Sequence, residues 1–368
     1  MTATLHVDDL VALAGVDPDE MARREALHLT VQECRSDTLP IFGGGTLTPE
    51  QEAGLPAGRG IGEEWGSDEI TLLNGLRGAA CAMNGGSDAT PSIRANLGVG
   101  IAATPFGVTY EHFDDKMPWV TGHVALEALD DFDADTCPLG TVCETAIARS
   151  RTLAEHLAGS GITPFCFDTQ SPFDVAHLVV GDDIFYAMYD EPERVHQLLD
   201  NCTRMIIRLT RAYKDATGER PDGGRHGNFA MRGGVRVCED TVTLLNEEQV
   251  ATWCVPYTRR LLQAFGGGWI HYCGKNEHLY RAVLDDLPEC YAFNFGNPEM
   301  HDMEQVVADC LARGKTYKGG IPRQADEPLE AYFRRVQGYT QGTGRGLLFD
   351  CNTNEDGAVA LWRRLQGA

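Results

Sequence analysis

From about residue 160 onward, short apolar runs alternate with amphipathic segments, and this alternation restricts the fold more than any other feature of the chain. Strand-like runs fall at Thr163–Phe167, Gly234–Cys238, Trp269–Tyr272, Tyr291–Phe295, Thr316–Gly319 and Leu347–Asp350. Helix-length connections separate them, each with turn chemistry at its junctions, which is the pattern of βα units feeding a parallel sheet. The clearest helix opens at Asp190-Glu191-Pro192 and carries Val195, Leu198, Leu199, Cys202, Ile206 and Leu209 on one face. Asn246-Glu247-Glu248-Gln249 opens a second, which Pro256 should kink. A third follows Gly274, and two more are expected from Met303 to Arg313, ended by Gly314, and from Leu329 to about Tyr339.

The first half is less regular. Leu39-Pro40-Ile41-Phe42 reads as a first strand and Gly98–Ala103 as a second, with a Gly- and Glu-rich excursion over about 44–90 that is long enough to serve as a lid. The Gly-rich Asp222–Gly227 lacks the strand-before, helix-after context of a phosphate loop and reads as a βα-loop. No internal repeat and no Pro/Ser-rich hinge divides the chain. The expected fold class is α/β, a (β/α)8 TIM barrel over residues 36–368 preceded by an N-terminal helical extension over residues 1–35.

Charge narrows the partners. Asp and Glu number 54 against 31 Lys and Arg, a formal net charge of -23, which repels polyanions, and no basic run interleaves with aromatics. Nucleic-acid binding is therefore not expected, nor is membrane insertion, since no run approaches the ~20 apolar residues of a span. The opening Met1–Asp9 lacks the basic and apolar regions of a signal peptide, and a cytoplasmic location is expected. Twelve cysteines without CxxC pairs read mostly as reduced core residues, Cys202 and Cys310 among them.

Three residues stand apart from that filler. His271 and Cys273, at i and i+2 of an apolar strand, share one face, and Gly274 follows at once. A lone His-x-Cys is common at strand ends; Cys351, ending the run Gly346–Asp350 and followed by Asn352-Thr353-Asn354-Glu355, singles this one out. In a parallel barrel, the ends of all strands meet on one rim, so His271, Cys273 and Cys351 are expected to hold zinc and leave one position open. Zinc with one imidazole and two thiolates suits a substrate thiol better than hydrolytic water, and no HExxH motif is present.

These residues resemble the uroporphyrinogen decarboxylase superfamily, and within it the zinc-dependent methylcobamide:thiol methyltransferases of the coenzyme M type. Pro91–Gly100, Phe106-Gly107-Val108 and Met117-Pro118-Trp119-Val120 resemble its second-strand region, and Ser171-Pro172-Phe173 with Gly181 and Tyr189–Pro192 its fourth segment. Ile270-His271-Tyr272-Cys273-Gly274 resembles the HxCG stretch of the methyltransferases. The resemblance implies a (β/α)8 barrel that moves a methyl group from a methylated corrinoid to a thiol held as thiolate on zinc, with His271, Cys273 and Cys351 as the ligands. It also implies a carboxylate near the metal, for which Glu144, Asp168, Glu239 and Asp240 are candidates. Of these, Asp168, Asp240 and Glu239 are carried forward as catalytic candidates.

The chain departs from the decarboxylase branch. Phe42-Gly43-Gly44-Gly45-Thr46 stands where that branch has an arginine-bearing stretch for porphyrinogen carboxylates, although Arg94, Arg225, Arg232 and Arg236 remain available for one anionic group. No Asp-x-His-x-x-Gly corrinoid-binding segment occurs, so cobalamin is expected on a separate corrinoid protein docking at the barrel mouth, where Trp65, Trp119 and Phe295 are candidate lining residues. Three further readings keep the fold: a demethylase subunit passing methyl from a small O- or N-methyl substrate to a corrinoid protein, a uroporphyrinogen decarboxylase-like decarboxylase, and a non-catalytic barrel with structural zinc, completed by Cys238, or a bound tetrapyrrole. A homodimer is compatible with all of them.

Overall fold

The computed structural model describes residues 7–351, 353, 355 and 357–367. The start of the expected extension, Met1–His6, and Asn352 and Asn354 of the polar stretch after Cys351 lie outside these residues.

Six parallel strands form one sheet in the order β1 (Ile41–Phe42), β8 (Leu347–Asp350), β7 (Thr316–Gly320), β6 (Cys290–Phe295), β5 (Gly268–Tyr272) and β4 (Val235–Cys238). A second parallel pair joins β2 (Ser92–Arg94) to β3 (Thr163–Phe165). Two contacts connect pair and sheet. Gln170, just beyond β3, bridges in parallel to Cys238 at the end of β4, and Asp88, just before β2, donates its backbone N–H to Ile41 of β1 at 2.8 Å. Helices connect the strands because each strand buries both faces, one against the other strands and one against the helical layer. Along β5, Ile270 and Tyr272 pack outward in the large core cluster. Trp269 turns inward to a smaller cluster with Phe42, Phe229, Ala292 and Leu348.

Most of the expected elements appear where their punctuation put them. Met303–Arg313 ends on Gly314 in the left-handed region, and Leu329–Tyr339 matches at both ends. The helix after Asn246 has the capping box, and a π turn over Val250–Cys254 precedes Pro256. That turn accommodates the missing proline N–H without breaking the helix.

Two expectations on the local structure are corrected, at Gly98–Ala103 and Asp222–Gly227. Gly98–Ala103 is not the second strand: β2 lies earlier, and Ile101–Phe106 is a 3₁₀ segment. Ile101, Ala102 and Ala103 are buried together, and an apolar run buried on all sides has no periodicity to tell strand from helical turn. The 44–90 excursion is built of helices at Pro49–Gly54, Ile61–Trp65 and Asp68–Asn84. Asp222–Gly227 is not a simple loop, since Gly223–His226 pairs antiparallel with Phe229–Arg232.

Of the N-terminal helices, α1 (Val7–Leu13) packs near the helix Asp68–Asn84, and α2 (Pro18–Gln32) meets that hairpin. Gln32 of α2 donates from Nε2 to the carbonyl of Ala230 at 2.9 Å and accepts the N–H of Arg232 at Oε1. No helix among the described residues is long and apolar enough to cross a membrane.

Candidate metal centre

The site lies where β4 and β5 end side by side. Their register pairs Cys238 with His271, and the next strand adds Asn294 opposite His271. In-register parallel neighbours turn their side chains to the same face, so these three stand in a row on the inner face. Alternation then places Asp240 and Cys273, two residues on, above Cys238 and His271.

Ligand atoms of Cys238, Asp240 and His271 lie within 4.8 Å of one another, and among the described residues this is the one group of three metal-ligating side chains so placed. Cys238 Sγ donates to Asp240 Oδ2 at 3.1 Å. Cys273 Sγ lies 3.5 Å from His271 Nε2. Around a tetrahedral zinc with bonds of about 2.0–2.3 Å, neighbouring donor atoms are about 3.3–3.8 Å apart, a range that the Cys273–His271 pair meets and the Cys238–Asp240 pair approaches. An imidazole, two sulfurs and a carboxylate are also the donor types zinc takes.

Neighbouring groups fix the donors. Asn294 Oδ1 accepts from His271 Nδ1 at 2.8 Å, which turns the Nε2 lone pair toward the sulfurs. Burial and Arg236 together hold the imidazole below its usual pKa, so it is neutral at pH 7. Asp240 Oδ1 accepts the N–H of Cys273 at 2.6 Å. Behind it, fully buried Asp174 accepts the N–H groups of Asp240 and Thr241 at 2.7 and 2.8 Å. The Gly274 N–H donates to Asn297 Oδ1 at 3.0 Å, and a Cβ on Gly296 would meet Cys273 Sγ at 2.5 Å. Burial, reinforced by Asp240, pushes the Cys273 thiol up to about 11, and burial drives Cys238 well above the usual thiol range. Without a cation both sulfurs keep their protons at neutral pH.

The other candidate residues divide. Glu239 points away from Cys238 and Asp240, as alternation requires. It is fully buried, accepts from Thr258 Oγ1 and Cys254 Sγ, and burial pushes its carboxyl up to about 7. Asp168 sits between two arginines, 2.5 Å from Arg94 and 2.9 Å from Arg236, and its charge is committed to them. Arg225 pairs with Glu25, and Arg232 lies over the Tyr291 ring. Glu144 is exposed on the helix Gly140–His156. Trp65 and Phe295 are buried, whereas Trp119 is 49% exposed on a hairpin pairing Thr109–Glu111 with Trp119–Gly122.

Cys351 is not brought to this group. It follows β8, three strands from β5 in the sheet order, about 14 Å along the sheet. Its backbone N–H donates to Phe42 at 2.7 Å. Leu347, Phe349 and Cys351 share the outward face and pack in one cluster with Phe333 and Trp362, while Leu348 turns inward. Along β8 the alternation puts Cys351, two residues after Phe349, on the same side as Phe349. The signal that pointed to Cys238 and Asp240 was weaker in sequence, a cysteine ending a strand and an acidic residue two positions on.

No family profile and no curated protein sequence matches the chain. Among solved structures it is similar to a methyltransferase from Methanosarcina mazei, with a TM-score of 0.59 and 14% identity over 93% of this chain and 98% of that one. A likeness at that identity establishes a shared α/β architecture of parallel strands and helices across nearly the whole of both chains.

Proposed function

We propose that the chain is a zinc-dependent methyltransferase that moves a methyl group from a methylated corrinoid, carried by a separate protein, to a small thiol. The eight parallel strands are read as a closed (β/α)8 barrel, the links at Gln170–Cys238 and Asp88–Ile41 being its two remaining seams. The carrying observation is the 3.5 Å approach of Cys273 Sγ to His271 Nε2 at the C-terminal ends of parallel strands, where barrel enzymes hold their chemistry. His271 and Cys273 hold the metal with a third protein ligand, which is Cys351 in the family pattern. A zinc ion held by these residues would lower the pKa of a bound substrate thiol and so supply a sulfur nucleophile at neutral pH. Asn294 orients His271, and Asp174 holds the Asp240 turn against the backbone of Cys273. Likeness to a solved methyltransferase along nearly the whole chain supports the reading.

Zinc-loaded protein mixed with methylcobalamin and a panel of small thiols tests it. Thiol-dependent loss of the methylcobalamin spectrum, abolished by Cys273→Ala, is the expected outcome. Methylation of free cob(I)alamin by an O- or N-methyl compound, with no response to thiols, assigns the demethylase direction instead. Because Cys238, Asp240 and His271 cluster with Cys273 beside His271, a structural zinc is the second reading; X-ray absorption that shows no added sulfur on thiol addition selects it.

A further inference from the structure

We infer that the metal sphere is completed from β4, by Cys238 and Asp240, and not by Cys351. This inference rests on the proposal that His271 and Cys273 bind zinc, and it fails separately from it.

Three observations carry the inference. The first is position: Cys238 is paired in register with His271 on the adjacent strand and faces the same side, whereas Cys351 lies three strands away on the outward face. Bringing its sulfur inward requires unpacking it from the helical layer and reversing the parity of the chain after Asp350, whose own carboxylate is tied to Lys318 Nζ at 2.5 and 2.6 Å. The second is spacing. Ligand atoms of Cys238, Asp240 and His271 lie within 4.8 Å of one another, with Cys238 Sγ and Asp240 Oδ2 only 3.1 Å apart, and Cys273 Sγ stands 3.5 Å from His271 Nε2. Between Cys238 and Asp240 a thiol proton occupies the place where a cation fits, so metal binding exchanges a proton for the ion and needs no new backbone path.

The third is support. Asp174 accepts the N–H of Asp240 at 2.7 Å, and Asp240 Oδ1 accepts the N–H of Cys273 at 2.6 Å, so the carboxylate is held between the ends of β4 and β5, beside Cys238 and Cys273.

Cys238→Ser, Cys351→Ser and Asp240→Asn proteins, each checked for native circular dichroism, are titrated with zinc against a chromophoric chelator, and wild type is examined by zinc X-ray absorption. Wild type and Cys351→Ser are expected to bind about one zinc per chain with similar affinity, and Cys238→Ser to lose roughly tenfold or more. Asp240→Asn, which removes no sulfur, weakens binding and guards against a misfolded cysteine variant. X-ray absorption should give two sulfurs in the first shell for wild type and one for Cys238→Ser. Zinc lost in Cys351→Ser and kept in Cys238→Ser and Asp240→Asn overturns the inference and leaves the methyltransferase proposal intact. Wild type without zinc removes both.

Discussion

Asn294 decides which nitrogen of His271 is offered to the thiols. Its Oδ1 accepts from Nδ1 at 2.8 Å, so the Nε2 lone pair is the one facing Cys273. Replacing Asn294 by Leu keeps the volume and removes the acceptor, leaving the ring free to rotate or to take the other tautomer. The expected result is about a 10- to 100-fold loss of zinc affinity in chelator competition with little change in melting temperature. Unchanged affinity would show that the ring is held by packing alone. At this scale the sequence made His271 and Cys273 legible, because i and i+2 positions on a strand share a face whatever surrounds them. The direction of Cys351 was not legible in the same way: its parity is read against Leu347 and Phe349, and nothing local says which face of β8 those two present. Asn294 was silent in the sequence, since its role depends on β6 lying in register beside β5.

The element that holds Asp240 is the helix Pro172–Val180. Ser171 caps it, accepting the N–H of Asp174 at 3.0 Å, and Asp174 in turn accepts two N–H groups from the turn after β4. Asp174→Ala leaves those two donors buried and unpaired, which costs about 2–4 kcal/mol and frees the turn that carries Asp240. Denaturant unfolding should show the loss, and zinc affinity should fall with it; a stable variant with native metal affinity would remove the helix from the account of the site. Elements with strong punctuation were readable from sequence, as in Met303–Arg313, where Asp302 caps the start and Gly314 takes the left-handed turn. The hairpin over Gly223–Arg232 was not. Its strands are four residues each and its register is set by α2 from the far end of the chain, through Gln32.

On the scale of the whole molecule, that contact makes α2 a part of the core and not an appendage. His28 is fully buried between the hairpin and the segment before β2: its Nδ1 accepts the N–H of Ala230 at 3.1 Å and its Nε2 donates to the carbonyl of Asp88 at 2.9 Å. Both bonds are satisfied by one neutral tautomer, and a proton on Nδ1 would face another N–H. Burial accordingly pushes His28 down to about 3. The unfolded chain has a histidine of ordinary pKa, about 6.5, and so binds more protons than the folded one between pH 6.5 and 3. Stability is therefore full above pH 6.5 and is lost on acidification, at about 1.4 kcal/mol per pH unit for this one proton. In His28→Gln, whose amide can keep the bond to Ala230, the stability measured by urea unfolding should be lower at pH 7 and fall less steeply between pH 6 and 4.5. Slopes that are the same in both proteins would place acid sensitivity elsewhere, among the carboxylates. Because Val31 of α2 and Phe229 of the hairpin share the inner cluster, and His28 and Gln32 both bond to the hairpin's Ala230, protonation at His28 should loosen the hairpin and α2 together. Hydrogen exchange at pH 5 should show Ala230 and Arg232 losing protection ahead of β5 and β6, a polarity that uniform acid unfolding would not produce.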